Sequence, residues 1–507
     1  MILNKNRMTV PFNTLKLVCL GIDTQKENVV FLRKDCHICK SEGFEAHNRI
    51  LVTANNNSII ATLYIITDGI IKEGTAGLSD SAYKNLNAKE GDELSFSHVQ
   101  PVASMRSIRS KMYGKQLNEE DLQNIINDIV KGQYSNIEIA AFITACAGDN
   151  LNIHEIISLT KAMVNSGQKL SWSKPIVVDK HSVGGLPGNR TTPIVVSIIA
   201  QYGLTIPKTS SRAITSPAGT ADTLETITEV NLDINQIKKV IEKENGCFVW
   251  GGSIKLSPAD DILIRIERAL DVDSEGQMIA SVLSKKIAAG STHVVIDIPI
   301  GKTAKVRTEQ DAEKLKYYFN VVGKAMGIKV EVLFTDGSQP IGRGIGPSLE
   351  AMDVISVLRN EKNAPQDLRN KALFIAGSII DLVNKKSSKI GLIMAEKILT
   401  SGKAYEKFMA ICNAQGGFKV PQYGHYKMPI YADKSGVVTE INNRRLAKTA
   451  KLAGAPHDLT AGVLLMTPLR TKVTKGDVLF YIYSETKGEL KYALEYLKSE
   501  PNIILIQ

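Results

Sequence analysis

Alternation of apolar and polar residues marks the first stretch of the chain. Leu15-Lys16-Leu17-Val18, Asn28-Val29-Val30-Phe31-Leu32, Ile50-Leu51-Val52-Thr53 and Ser58-Ile59-Ile60-Ala61-Thr62-Leu63-Tyr64-Ile65-Ile66 read as short strands, with turn residues such as Asn55-Asn56-Asn57 between them. This pattern predicts a small β-rich module over residues 1–95. From about Val99 the period lengthens: Leu122, Ile125, Ile126, Ile129 and Val130 recur three and four apart on one helical face. Ser135-Asn136-Ile137-Glu138 is a capping-box start, and Asn152 to Gly167 reads as a further helix with Asn and Gly at its ends. Residues 96–172 are therefore expected to form a helical domain.

After Lys174 strand and helix patterns alternate. Ile176 to Val178, Val294-Val295-Ile296-Asp297-Ile298 and Val330-Glu331-Val332-Leu333-Phe334 are apolar strand runs, and Gln310 to Met326 is a helical one. This alternation predicts a parallel sheet covered by helices over residues 173–415, some of its helices packing with the helical domain. Gly416-Gly417 and Pro421 to Gly424 mark a linker. Gly436 to Ile441 and Val473 to Ile482 read as strands around a turn, so residues 425–507 are expected to form a C-terminal α+β domain. The expected fold is thus an α/β core with a helical domain, an N-terminal β-rich module and a C-terminal α+β domain.

Composition narrows the class. At 507 residues the chain is long for one core, and roughly three domains follow from its length. It is 43% hydrophobic and 22% charged, as soluble globular proteins are. The net charge of +10 is mild for this length, and no basic block or aromatic-basic run points to nucleic acid. Six cysteines make no disulfide framework, and Cys36-His37-Ile38-Cys39 is a lone CxxC without a second pair of ligands. No charged-then-apolar leader and no apolar run approaching a membrane span is present, so a cytoplasmic protein with no membrane partner is expected.

The densest chemistry begins at Asp179-Lys180-His181-Ser182-Val183-Gly184-Gly185-Leu186-Pro187-Gly188-Asn189-Arg190-Thr191-Thr192, where a strand end, a glycine turn and a helix start meet. Helix-start N–H groups, bare glycine backbone and the Lys180 ammonium suit a phosphate-sized anion. The Walker A spacing is absent, and Gly342-Arg343-Gly344-Ile345-Gly346 fails the dinucleotide spacing. Downstream, Lys208-Thr209-Ser210-Ser211-Arg212-Ala213-Ile214-Thr215-Ser216-Pro217-Ala218-Gly219-Thr220-Ala221-Asp222-Thr223-Leu224-Glu225 crowds hydroxyls beside two cations. One Ser or Thr there is more often a cap or turn residue. Together they offer donors for phosphate oxygens or sugar hydroxyls.

These two segments resemble the signature of the thymidine/pyrimidine-nucleoside phosphorylase family, and most closely its longer branch of bacterial type 2 thymidine phosphorylases and archaeal AMP phosphorylases. The resemblance covers nearly the whole chain. It implies a phosphate site on Lys180, Ser182, Thr192, Ser210 and Thr220, with His181 near the base. It implies base contacts from Arg268, Ser281 and Lys285, and a nucleoside or nucleotide environment of Gly185, Ser211, Arg212, Ala213, Ile214, Thr215, Ser216, Thr220, Ser281 and Lys305. The acid that protonates the departing base corresponds to Asp273, with His181 as the other candidate. A solvated helix cap in an acidic run is the alternative reading of Asp273.

The activity so implied is phosphorolysis of an N-glycosidic bond: thymidine and phosphate giving thymine and 2-deoxyribose 1-phosphate, or AMP giving adenine and ribose 1,5-bisphosphate. Positioning and charge stabilisation suffice for it, so no metal or organic cofactor is expected and inorganic phosphate is a co-substrate. Lys305, Arg190 and Arg212 could supply the charge that a 5′-phosphate needs. The loop insertion Pro187-Gly188-Asn189 and the Ser-Pro-Ala at 216–218 depart from the short thymidine phosphorylases. The resemblance also implies a homo-oligomer, at least a dimer. A phosphate- or nucleotide-binding protein without catalysis is the reading from another class. A carrier is a further one, since the hairpin over 473–482 resembles lipoyl-type modules, though it has no Met-Lys-Met at its tip.

Overall fold

The computed structural model describes residues 14–213, 216–254, 256–270, 272, 274–384 and 390–507. They fall into two compact units, one made of the chain up to 115 with 124–145, the other of 116–123 with 146–507.

In the first unit six strands close into a barrel in the order Thr14–Cys19, Thr75–Leu78, Val29–Arg33, Asn57–Ile66, Arg49–Ala54 and Glu93–His98. Glu93–His98 returns to pair antiparallel with Thr14–Cys19. Strand Arg49–Ala54 points Ile50, Val52 and Ala54 inward and leaves the alternate positions half-exposed, the period of two that its sequence carries. Asn55 and Asn56 turn the hairpin at φ 48° and 66°, a conformation Asn tolerates. Closure removes the free edges that a small sheet would otherwise expose. The same unit holds helices Met105–Met112 and Asn136–Ala145. The latter begins with reciprocal capping, the Glu138 amide donating to Ser135 Oγ at 3.3 Å and the Ser135 amide to Glu138 Oε2 at 2.7 Å.

The second unit is built on parallel strands. Lys329–Asp336, His293–Ile300 and Val178–Ser182 form one ladder, and Ile206–Ser210 with Gly246–Trp250 another. A bridge between Val177 and Thr205 joins the two. Across the joined sheet the chain order is therefore fifth, fourth, first, second, third. The chain leaves the Val178–Ser182 strand to one side and later returns to its other side, so a topological switch point lies between this strand and His293–Ile300. Helices Thr192–Tyr202, Gln366–Asn384, Ile390–Thr400 and Lys403–Ala414 pack together on one side, and Ile153–Asn165, Glu275–Ala288 and Glu309–Ala325 form a second group. Thr192–Tyr202 is buried along nearly its whole length and ends at Gly203, φ 99°.

The C-terminal part of this unit is α+β, and the α/β part donates to it. Gly344–Ile345 pairs with Gly462–Leu465, which continues through Val478–Ser484 to Tyr426–Tyr431. The weak glycine run at 342–346 is thus a structural stitch. Among the described residues no helix is long and apolar enough to cross a membrane.

Candidate active site

The strand expected over 175–178 begins only at Val178 and continues through Ser182, so Asp179, Lys180 and His181 lie in the ladder and not in a loop after it. Strand alternation sends Lys180 and Ser182 to one face and Asp179 and His181 to the other. The contacts agree. Ser182 faces its register partner Asp297, whose carboxylate is 3.1 Å from Lys371 on helix Gln366–Asn384. Asp179 instead meets Lys286 of helix Glu275–Ala288 at 2.8 Å and Lys208 at 3.2 Å. One short strand therefore serves two chemistries on its two faces.

Lys180 is 2% exposed, and its ammonium donates to Thr191 Oγ1 at 2.7 Å. Burial pushes it down from the ordinary lysine value of 10.5 to about 7; Asp297 opposes this, while Lys371 and Arg190 add to it. Thr192, expected in the phosphate site, opens the helix one residue further on and is buried. Arg190 donates to Thr220 Oγ1 at 2.6 Å and to the Ala218 carbonyl at 3.0 Å, and pairs with buried Glu350 at 2.6 Å. Ser210 is buried and its hydroxyl has no hydrogen-bond partner among the described residues. In this region Lys180, Lys208, Lys286, Lys371 and Arg190 face the carboxylates of Asp179, Asp297 and Glu350. While Lys180 and Lys286 are protonated, cations outnumber carboxylates in a dry setting, and an incoming dianion would favour that protonated state.

The loops beyond the strand ends pack tightly. Gly185 sits at φ +78°, and a Cβ there would lie 2.5 Å from the Lys305 amide nitrogen. Gly188, at φ +72°, would meet the Ile341 carbonyl at 2.4 Å. Glycine is required at both by conformation and by close backbone approach. The loops after the first, fourth and fifth strands of the sheet thus converge at the switch point and bring Lys305 beside Gly185.

On the other face His181 is held well below the ordinary histidine value, first by burial and then by Lys286, Lys208, Lys285 and Lys180. Burial and these lysines favour the neutral imidazole, whose ring nitrogens can hydrogen-bond a ligand. Lys285 belongs to the same surroundings, and its ammonium meets buried Asp260 at 2.6 Å. Ser281 lies one turn before it on the same helix. Arg268 is in helix Pro258–Leu270. Asp273, Ile214 and Thr215 lie outside the described residues.

Arg212 is engaged elsewhere: it pairs with Glu225 at 2.5 Å and Asp222 at 3.3 Å and stacks over Trp250 at 4.9 Å. The Ala213 amide donates to Asp222 at 2.6 Å, and Ser216 to the Ala218 carbonyl at 2.9 Å. Ser211 is exposed and its carbonyl accepts from the Ala221 amide at 3.3 Å. These contacts hold residues 211–213 and 216–219 against the start of helix Thr220–Glu225. Sequence reasoning misses Asp179, Asn189, Lys286, Asp297, Lys371 and Glu350 as site residues. The available signal is a carboxylate inside an apolar parallel strand, as at Asp179 and Asp297, because such a group must be paired.

The parallel α/β domain with its cationic loop at the switch point is that of a glycosyltransferase of the pentosyltransferase class. Family models match at residues 174–405 (glycosyl transferase family, a/b domain), 106–167 (its helical bundle domain) and 437–503 (pyrimidine nucleoside phosphorylase C-terminal domain). The chain belongs to the thymidine/pyrimidine-nucleoside phosphorylase family. It is 54% identical to a protein of Hahella chejuensis (strain KCTC 2396), covering 98% of both chains. It is 53% identical to one of Legionella pneumophila (strain Paris), over 97% of this chain and 95% of that one, and 48% identical to one of Parvibaculum lavamentivorans (strain DS-1), over 99% of each. All three carry the name "Putative thymidine phosphorylase". Among solved structures, anthranilate phosphoribosyltransferase from Thermus thermophilus matches with a TM-score of 0.51 at 19% identity, over 61% of this chain and 99% of that one, a likeness of fold.

Proposed function

We propose that the chain catalyses phosphorolysis of a pyrimidine nucleoside, with thymidine and inorganic phosphate giving thymine and 2-deoxyribose 1-phosphate. The observation that carries this reading is the cluster of buried basic side chains Lys180, Lys371 and Arg190 at the switch point, together with a buried hydroxyl at Ser210 that lacks a partner among the described residues. Phosphate would take the Lys180 ammonium and the Ser210 hydroxyl as donors. An unprotonated oxygen then attacks the anomeric carbon while the glycosidic bond breaks and the sugar acquires oxocarbenium character. The bonding pair leaves with the base. On the opposite face of the strand, Ser281, Lys285 and His181 would hydrogen-bond that base, with Asp273 the acid that gives a proton to the nitrogen freed by the broken bond. Positioning and preorganised charge lower the barrier, and the proposal includes no metal or organic cofactor.

A nucleotide reading, AMP giving adenine and ribose 1,5-bisphosphate, draws support from Lys305 beside Gly185. The engagement of Arg190 by Glu350 and of Arg212 by Glu225 favours a substrate without a 5′-phosphate. Incubating the purified protein with phosphate and either thymidine or AMP, and following the release of free base, decides between them. Phosphate-dependent release of thymine supports the first reading; adenine from AMP alone supports the second; no base from either overturns both.

A further inference from the structure

Ser182 has a single hydroxyl proton, and it is already placed. It donates to Asp297 Oδ2 at 2.8 Å, while Asp297 Oδ1 accepts from Thr335 at 2.5 Å and Lys371 lies 3.1 Å away. Asp297 is fully buried; burial alone would raise its carboxyl, but Lys371, Thr335, Lys180 and Ser182 together hold it below the ordinary range. It therefore stays an acceptor, and Ser182 can turn only lone pairs toward a ligand. The neighbouring amide follows from this. Asn189 Nδ2 lies 3.0 Å from Ser182 Oγ and must be the donor, since Ser182 has no proton left to give. That fixes the amide's orientation and leaves Asn189 Oδ1 buried with no hydrogen-bond partner among the described residues. A buried acceptor of this kind is costly until a donor arrives. On the same strand face, Lys180 engages Thr191 with one of its protons and has at least one more to offer.

Acceptors at Ser182 and Asn189 beside a donor at Lys180 match a ligand with several bare oxygens and one O–H. We propose that Ser182 and Asn189, oriented by Asp297, form an acceptor face that reads the proton of hydrogen phosphate, so that the site selects this anion over tetrahedral dianions that carry no proton. The inference rests on the phosphate site proposed above and adds its specificity. It has a mechanistic corollary: with the O–H donating to Asn189 Oδ1, an unprotonated oxygen is the one left facing the sugar. Asn189 belongs to the inserted tripeptide at 187–189, so the insertion would supply the selecting group.

Sulfate and monofluorophosphate share the charge and shape of hydrogen phosphate at about pH 8 and lack its proton. In calorimetric titrations of the full chain, phosphate should bind about 10- to 100-fold more tightly than either, the range expected for one hydrogen bond to a charged group. Asn189→Ala should reduce that preference several-fold while leaving sulfate affinity within about twofold. Equal binding of the three anions by the wild-type chain overturns the inference. So does an Asn189→Ala variant that keeps the phosphate preference but changes the ratio of ribosyl to deoxyribosyl substrate use, because the acceptor would then face the sugar. Failure of phosphate itself to bind, together with no base release, counts against the proposed function and not only against its selectivity.

Discussion

Burying the Lys180 ammonium beside Lys371 and Arg190 is unfavourable, and that cost is informative. With Asp297 shared with Lys371, removing the charge relieves repulsion and desolvation more than it breaks a pair. Lys180→Met should therefore unfold within about 1 kcal/mol of the wild type or above it, while phosphorolysis falls at least about 100-fold. Denaturation and kinetics on the same preparation check this, and a variant that unfolds easily would contradict it. The pH dependence has a definite sign. Below about 7 the lysine is charged both folded and unfolded; between about 7 and 10.5 the unfolded chain holds a proton that the folded chain has released. Stability should thus rise with pH across that window, and Lys286, also pushed to about 7 by burial, acts in the same direction. Phosphate restores the proton to Lys180, so its binding at about pH 8 should take up protons. Titrations in two buffers of different ionisation heat measure this, and no uptake would count against the assignment. The sequence marks Lys180 and Thr192 but not Thr191, the residue that Lys180 bonds. Which hydroxyl reaches the ammonium depends on the Gly184-to-Gly188 turn, which is set by packing on Lys305 and Ile341 that spacing does not encode.

At the level of elements, the glycine turn after Val178–Ser182 and the loop carrying Lys305 form one piece. Gly185→Ala places a methyl group 2.5 Å from the Lys305 amide in a left-handed backbone conformation. The chain should still fold, because the turn lies outside the sheet, but kcat/KM should fall about 100-fold as the two loops separate. Steady-state kinetics with circular dichroism as the folding control would show it; unchanged kinetics would detach the turn from the site. Elements with a clear local signal are legible from sequence: Arg49–Ala54 follows its alternation and Asn136–Ala145 its capping box. Helices such as Ile390–Thr400, apolar on most positions, carry no polar stripe to reveal which face packs. The strand through Lys180 reads too short because charged residues end an apolar run in sequence, whereas here paired carboxylates and lysines continue it.

In the second unit as a whole, the strand order creates the site, and that order is invisible to local reading because it depends on which distant strands pair. The C-terminal part supports the same loops. Buried Asn443 donates from its side-chain amide to the Gly337 carbonyl at 3.0 Å and from its backbone N–H to Thr303 Oγ1 at 3.2 Å, and so ties down the loops after two strands of the sheet. Asn443→Ala should lower stability by about 1–3 kcal/mol, the cost of leaving a buried group unpaired, and should raise the KM for phosphate. Thermal unfolding and phosphate kinetics test the two parts, and a variant with unchanged KM would limit Asn443 to stability.

The most direct test of the central claim is a crystal structure of the protein with bound phosphate. The account predicts the anion at the end of the Val178–Ser182 strand, within hydrogen-bond distance of the Lys180 ammonium and the Ser210 hydroxyl. Phosphate bound elsewhere, with Lys180 still directed only at Thr191, would contradict it.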